Sequence, residues 1–136
     1  MALTLDRVDH IHVLVRDRVA AEQWYARVMF LARVPELEFW APDGGPLTIG
    51  NPSGTVHLAL FERPTQQCRS TVAFAVGAEE FLEWRGHLHA ALGHPVAMED
   101  HAVSWSLYFA DPDGNPFEIT SYEYAALAPH LRATAA

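Results

Sequence analysis

The feature of this sequence that most constrains its fold is an internal repeat. Asn51-Pro52-Ser53-Gly54 is echoed 60 residues later by Asp111-Pro112-Asp113-Gly114, and Phe61-Glu62 is echoed 61 residues later by Tyr122-Glu123. Each of these turn-like segments is followed by an apolar run that is typical of a β-strand. A period of this length is too long for a solenoid and predicts two copies of one module that together fill the chain.

Both copies are predicted to begin with a strand and a helix. The first has a strand near residues 8–16 and a helix over about 18–30, which Asp17 can cap. The second has a strand over 71–76 and a helix over about 78–92. Turn signals divide the remainder of each copy into three shorter strands. The pattern is therefore βαβββ, twice.

A chain of 136 residues has the length of a single domain. We predict an α+β domain over 1–136 with tandem βαβββ modules at about 8–63 and 70–124, whose curved mixed sheets surround a cleft. The tail over 125–136 is rich in Ala and is predicted to be a short helix or a frayed end.

Composition excludes several kinds of site. All 9 basic residues are Arg, and 17 acidic residues give a formal charge of −8. Without Lys there is no Schiff-base or Walker A lysine, and the acidic excess argues against a nucleic-acid partner. The single Cys68 leaves no Cys-based zinc site. The start of the chain does not resemble a signal peptide and no apolar run could span a membrane, so we expect a cytoplasmic protein without a membrane partner.

Strand alternation assigns the polar side chains to one face of each sheet. Residues of alternating parity, such as Val13 and Val15 or Phe117 and Ile119, form apolar faces for the helices. The opposite faces would line the cleft with His10, His12, His57, Thr71, Glu118 and Thr120, with Phe61 and Tyr122 beside them. A register of 61 residues pairs His10 with Thr71 and His57 with Glu118. Two imidazoles and a carboxylate are the donor set of facial metal sites that leave positions open for a substrate.

The residues alone leave other interpretations open. His10 and His57 could be hydrogen-bonded strand histidines that bind no metal, and His12 could lie in the core. A carboxylate on a largely buried strand is costly without a partner, which favours a ligand or an acid/base role for Glu118. The histidines on or after the second helix and in the tail are expected at the surface: His87, His89, His94 and His130.

Two segments resemble motifs of the vicinal oxygen chelate superfamily. Residues 9–17, Asp-His-Ile-His-Val-Leu-Val-Arg-Asp, followed by Trp24-Tyr25, resemble its opening motif. Residues 106–118 resemble its closing motif, in which the final Glu is commonly a metal ligand. The superfamily includes glyoxalase I, fosfomycin-resistance thiol transferases, bleomycin-binding proteins, methylmalonyl-CoA epimerases and extradiol dioxygenases. The resemblance covers about residues 8–124 and implies modules that often pair across a homodimer.

This resemblance also implies a ligand set. The superfamily's metal positions correspond here to His10, His57 and Glu118, and the fourth is occupied by Thr71, where His is usual. His57 stands where glyoxalase I has Glu. A further departure is Met29-Phe30 in place of the usual Leu-Gly.

The implied function is that of a metal-dependent enzyme acting on a small organic substrate with chelating oxygens. Isomerase or lyase chemistry would use Zn, Ni, Co or Mn, with Glu118 or His12 as proton shuttle, and ring-cleaving dioxygenase chemistry would use Fe(II). The alternative is a metal-free protein that sequesters a small aromatic ligand, as the bleomycin-binding proteins do; the missing His at position 71 favours it. The side chains expected to line the substrate pocket are Thr71, Phe61, Tyr122 and Trp105.

Overall fold

The computed structural model describes residues 3–64, 68 and 70–135, with side chains up to residue 132. The chain divides into two compact units, Met1–Gln66 (unit 1) and Gln67–Ala136 (unit 2). Each unit contains one mixed sheet of four strands together with its helices. The predicted α+β class and the two βαβββ halves are confirmed.

Unit 1 contains a parallel strand pair at one side of its sheet. Its elements are β1 Ile11–Val15, α1 Arg18–Met29, β2 Ala32–Arg33, β3 Leu47–Gly50 and β4 His57–Glu62. The strand order is β1-β4-β3-β2, in which β1 and β4 are parallel and the other pairs are antiparallel. The first short strand after α1 is only two residues long, because prolines start two 3-10 helices, Pro35–Trp40 and Pro42–Gly44.

Unit 2 repeats this topology. Its elements are β5 Val72–Ala75, α2 Ala78–Leu92, β6 Ala97–Asp100, β7 Trp105–Ala110, β8 Pro116–Ser121 and α3 Tyr124–Ala135. The strand order is β5-β8-β7-β6, with β5 parallel to β8. The tail forms a helix, which is the first of the two alternatives that the sequence allowed. Within the described part of the chain, no helix has the length and apolarity needed to cross a membrane.

The ends of the helices follow from local chemistry. The Asp17 side chain accepts a hydrogen bond from Ala20 N at 3.1 Å and caps α1, as predicted. Gly93 ends α2 in the left-handed conformation, with φ of 77°. Phe30 takes the corresponding position after α1 with φ of 56°, a conformation that is costly for a residue with a Cβ. The departure from Leu-Gly therefore places strain at the end of α1.

The repeated aromatic-Glu pair has the same task in both units. Glu62 accepts a hydrogen bond from Arg18 N at 2.9 Å, at the first turn of α1. Glu123 accepts one from Ala78 N, at the first turn of α2. Carboxylates satisfy the free amide groups and the positive end of the dipole at a helix N-terminus. The echo of these pairs therefore reflects helix capping.

The strand register differs from the one expected after the repeated turns. In unit 1 His12 lies opposite Ala59, and in unit 2 Ala73 lies opposite Glu118. Glu118 therefore corresponds to Ala59, and the predicted equivalence of His57 with Glu118 is wrong. The reason is that the turn before β4, residues 51–56, is one residue longer than the turn before β8, residues 111–115.

The predicted alternation is otherwise confirmed. The apolar faces of both sheets are largely buried and include Val13, Val15, Leu58, Leu60, Phe117 and Ile119. The opposite face of each sheet carries the polar and small residues, and we call it the polar face of that unit. In unit 1 it includes His12, Ala59 and Thr48, which are neighbours across the strands. In unit 2 it includes Ala73, Glu118 and Tyr108.

Candidate functional site

The polar face of unit 1 carries a cluster of Asp9, His10 and His12. The Nδ1 atom of His10 lies 2.8 Å from Asp9 Oδ2, and its Nε2 atom lies 3.1 Å from Nε2 of His12. The hydrogen bond with His10 is the main cause that lowers the pKa of Asp9 from its usual value. An ionised carboxylate only accepts hydrogen bonds, so Nδ1 of His10 carries the proton. The Nε2 lone pair of a neutral His10 is then directed away from Asp9, toward His12.

His12 is held from its other side by an aromatic ring. The centroids of His12 and Phe61 are 4.7 Å apart, and those of His10 and His12 are 5.0 Å apart in a stacked arrangement. Phe61, which was expected beside the cleft, is half-buried. It therefore positions the imidazole of His12 on the polar face.

His57 lies at the start of β4, opposite Gly50. A Cβ on residue 50 would come within 2.5 Å of His57 Cδ2, so Gly50 leaves the space that the imidazole fills. His10 and His57 both line a cavity of about 290 Å³ in unit 1. The other side chains that line it are Asp9, Leu37, Trp40, Pro46, Thr48 and Ala59. The structure thus brings two of the predicted ligands to one cavity.

In unit 2, Glu118 is part of a hydrogen-bonded group on the polar face. Ser106 Oγ donates to Glu118 Oε2 at 2.7 Å and lies 3.2 Å from Thr120 Oγ1. Thr120 in turn donates to the carbonyl oxygen of Trp105 at 3.2 Å. Glu118 is half-buried, and the short hydrogen bond from Ser106 compensates part of the cost of burying its charge.

Tyr108 is a neighbour of Glu118 that sequence reasoning did not select. Burial raises the pKa of Tyr108 above its usual value, a hydrogen bond with Ser106 opposes this, and the charges of Glu118 and Glu99 raise it further. The hydroxyl lies 2.9 Å from Nε2 of His101. Tyr108 is therefore a neutral phenol on the polar face. The alternation of Ser106 and Tyr108 with the apolar residues of β7 is the signal that could have identified both.

Trp105 does not lie where it was expected. Its side chain is fully buried, and its Nε1 donates to the carbonyl oxygen of Tyr124 at 3.4 Å. The two rings stack with centroids 5.4 Å apart. Trp105 lies opposite Ser121 across β8 and alternates with Ser106, so it is on the apolar face. It belongs to the core of unit 2 and not to a pocket. Tyr122 and Thr71 are both exposed.

The donor atoms on the polar faces have the chemistry that a divalent transition metal ion requires. Imidazole nitrogen suits Zn, Ni, Co and Fe, and carboxylate oxygen suits Mn and Fe. An Asp–His hydrogen bond of the kind that Asp9 makes is the usual support of a ligating histidine. Across residues 3–64, 68 and 70–135, no group of three His, Cys, Asp or Glu side chains is placed so that it could hold one ion. By donor type, His10 is the residue that fits the role best.

Comparisons of sequence and of structure give different results. No protein-family model matches this sequence. No curated protein matches it either. Solved structures do match it over most of its length. A glyoxalase family protein from Bacillus anthracis has 22% identity and a TM-score of 0.66 over 90% of this chain and 100% of its own.

Two further structures connect the fold with named activities. A glyoxylase/bleomycin resistance protein/dioxygenase domain from Frankia sp. EAN1pec has 18% identity and a TM-score of 0.69, over 93% of this chain and 99% of its own. The fosfomycin resistance protein FosX from Listeria monocytogenes, as a mutant complexed with Mn(II) and 1S,2S-dihydroxypropylphosphonic acid, has 16% identity and a TM-score of 0.66, over 93% and 99%. The resemblance inferred from the two motifs is thus confirmed at the level of the fold: this chain has the fold of the glyoxalase, bleomycin resistance and dioxygenase proteins, the vicinal oxygen chelate fold.

Proposed function

We propose that this protein is a metal-dependent enzyme that acts on a small organic substrate with chelating oxygens, by isomerase, lyase or ring-cleaving dioxygenase chemistry. The proposed ligands are His10, His57 and Glu118. The observation that carries the proposal is the hydrogen bond between Asp9 and His10, because it directs an imidazole lone pair toward an accessible polar face. The presence of Mn(II) in the FosX structure supports a divalent ion in this fold.

The residues of the chain have separate tasks in this proposal. A bound divalent ion would supply Lewis-acid stabilisation of negative charge on the substrate oxygens. His12 and Glu118 are the proposed proton carriers, since each is an ionisable group on a polar face. Ser106 orients Glu118 through its 2.7 Å hydrogen bond. Phe61 keeps the His12 ring in place.

The proposal predicts that His10→Ala loses the metal. Removing the imidazole takes away a ligand whose orientation Asp9 already fixes, so we expect metal retention after gel filtration to fall by at least about tenfold. The measurement is elemental analysis of protein purified without a histidine tag and reconstituted with Mn(II), Zn(II) or Ni(II). His87→Ala, on α2, is the matched control and should retain metal as the parent does. Equal loss in both variants would contradict the assignment of His10.

We further propose that the protein acts as a homodimer. The edge strands of both sheets carry exposed side chains on their polar faces, His12 on β1 and Ala73 and Ala75 on β5. Uncovered edges of this kind favour association. Leu3 and Leu5 are almost completely exposed as well, and exposed apolar side chains mark interaction surfaces.

The homodimer is expected to have twice the chain mass of 15.1 kDa in size-exclusion chromatography with light scattering. The mass should not change over a tenfold dilution at micromolar concentration, because a fold-completing interface has to be stable. A species of 15.1 kDa alone would contradict the proposed assembly.

A second candidate function is a metal-free protein that sequesters a small aromatic ligand. The observation that favours it is the cavity of about 290 Å³ in unit 1, because Leu37, Trp40 and Pro46 give it apolar walls. Thr71, in place of the usual histidine, agrees with this candidate too. Metal content separates the two functions, since the sequestering protein needs no ion.

A further inference from the structure

We propose that His10 and His12 together chelate a divalent transition metal ion, so that His12 is a metal ligand in addition to the three residues proposed above. The inference rests on the proposed metal dependence and deepens it. It assigns to His12 a role different from that of a proton carrier. It also gives the metal a partial site within unit 1 alone.

The distance between the two imidazoles carries the inference. His10 and His12 are two residues apart at the start of β1, so both side chains lie on the same face. Their Nε2 atoms are 3.1 Å apart. Two nitrogen ligands at 2.0–2.1 Å from one ion, at angles between 90° and 109°, are separated by about 2.9–3.4 Å. The observed separation is therefore the one that two neighbouring ligands of a single ion require.

The orientation of each ring supports the same arrangement. Asp9 accepts the Nδ1 proton of His10, which leaves Nε2 as the free donor atom. Phe61 packs against His12 with a centroid distance of 4.7 Å. Both histidines are exposed, so an ion can reach them from solvent. The formal charge of −8 also favours a cation.

A hydrogen bond between the two histidines is the competing interpretation of the same distance. It requires that Nε2 of His12 carries a proton and donates it to His10. A metal ion would replace this proton and join both lone pairs. The two interpretations make different predictions for binding of an ion, because a hydrogen-bonded pair has no need of a third atom between the rings.

The chain contains a matched control for this chelate. His87-Leu88-His89 has the same His-x-His spacing, but it lies on α2, where residues two apart do not face each other. In addition, Nδ1 of His89 lies 3.0 Å from the carbonyl oxygen of Arg85. The helical pair should therefore not chelate, although its composition is the same.

The test uses Cu(II), which binds imidazole sites most tightly among the first-row divalent ions. One equivalent is added to the full chain, without a histidine tag, and binding is followed by calorimetry and by electron paramagnetic resonance. We expect a nitrogen hyperfine pattern from at least two imidazoles. His12→Ala and His10→Ala should each lower the affinity by at least about tenfold and remove one nitrogen from the pattern, whereas His89→Ala changes neither.

Two results would overturn the chelate, and they differ in what they imply for the proposed function. If His12→Ala binds Cu(II) as the parent does while His57→Ala and Glu118→Gln bind more weakly, the three-ligand set stands and the chelate is wrong. If His10→Ala also has no effect, both are wrong. If His12→Ala weakens binding and Glu118→Gln does not, the chelate is supported and the assignment of Glu118 as a ligand fails.

Discussion

Glu118→Gln is expected to lower the affinity of the protein for Mn(II) by about 100-fold, because it replaces a charged oxygen ligand with a neutral amide. The side chain keeps its size, and its amide oxygen can still accept the hydrogen bond that Ser106 donates to Glu118 at 2.7 Å. The fold of unit 2 should therefore remain intact. Equilibrium dialysis of the variant and the parent against Mn(II) measures the change.

Glu99→Gln is the matched control for this substitution. Glu99 lies on the polar face of unit 2, opposite Ser106, and is exposed. It changes the net charge by the same amount as Glu118→Gln does. Any general electrostatic effect of the acidic chain therefore appears in both variants. An equal and small decrease in Mn(II) affinity for both would show that Glu118 is not a ligand.

Trp105→Ala is expected to reduce the free energy of unfolding by about 3–5 kcal/mol, since it removes a fully buried indole and leaves a cavity. The loss includes the ring stacking on Tyr124 and the hydrogen bond from Nε1 to the carbonyl oxygen of that residue. Urea unfolding followed by far-ultraviolet circular dichroism is the measurement. A variant that does not fold at all is consistent with the same effect.

Trp40→Ala gives the comparison that separates a core role from a surface role. The Trp40 side chain is 46% exposed, and it borders the cavity that contains His10 and His57. Its replacement should cost about 1 kcal/mol or less. If Trp105→Ala were as mild as Trp40→Ala, the burial of Trp105 would not have its expected energetic weight.

The fold could be predicted from the sequence because its determinants are local. Asp17 and Gly93 mark helix ends through the conformations and hydrogen bonds that they favour. Alternation along β1 and β8 is sufficient to assign polar and apolar faces. The confirmed elements are therefore those that depend on a few neighbouring residues.

The details of the site depend on pairing between strands, which the repeat did not determine. A one-residue difference in turn length made Ala59, and not His57, the counterpart of Glu118. Parity within β7 places Trp105 away from Ser106 and Tyr108, but aromatic character favoured it as a pocket residue. The contact between His10 and His12 also needed coordinates, because shared parity does not give a distance of 3.1 Å between two ring nitrogens.

The central claim is that this chain binds a divalent metal ion, and metal content measures it most directly. The protein is purified without a histidine tag, stripped with a chelator, reconstituted separately with Mn(II), Fe(II), Ni(II) and Zn(II), and analysed for its elements after gel filtration. We predict about one ion per chain for at least one of these metals, with loss of the ion in His10→Ala. If no reconstitution gives a stoichiometric metal ion, the account is contradicted.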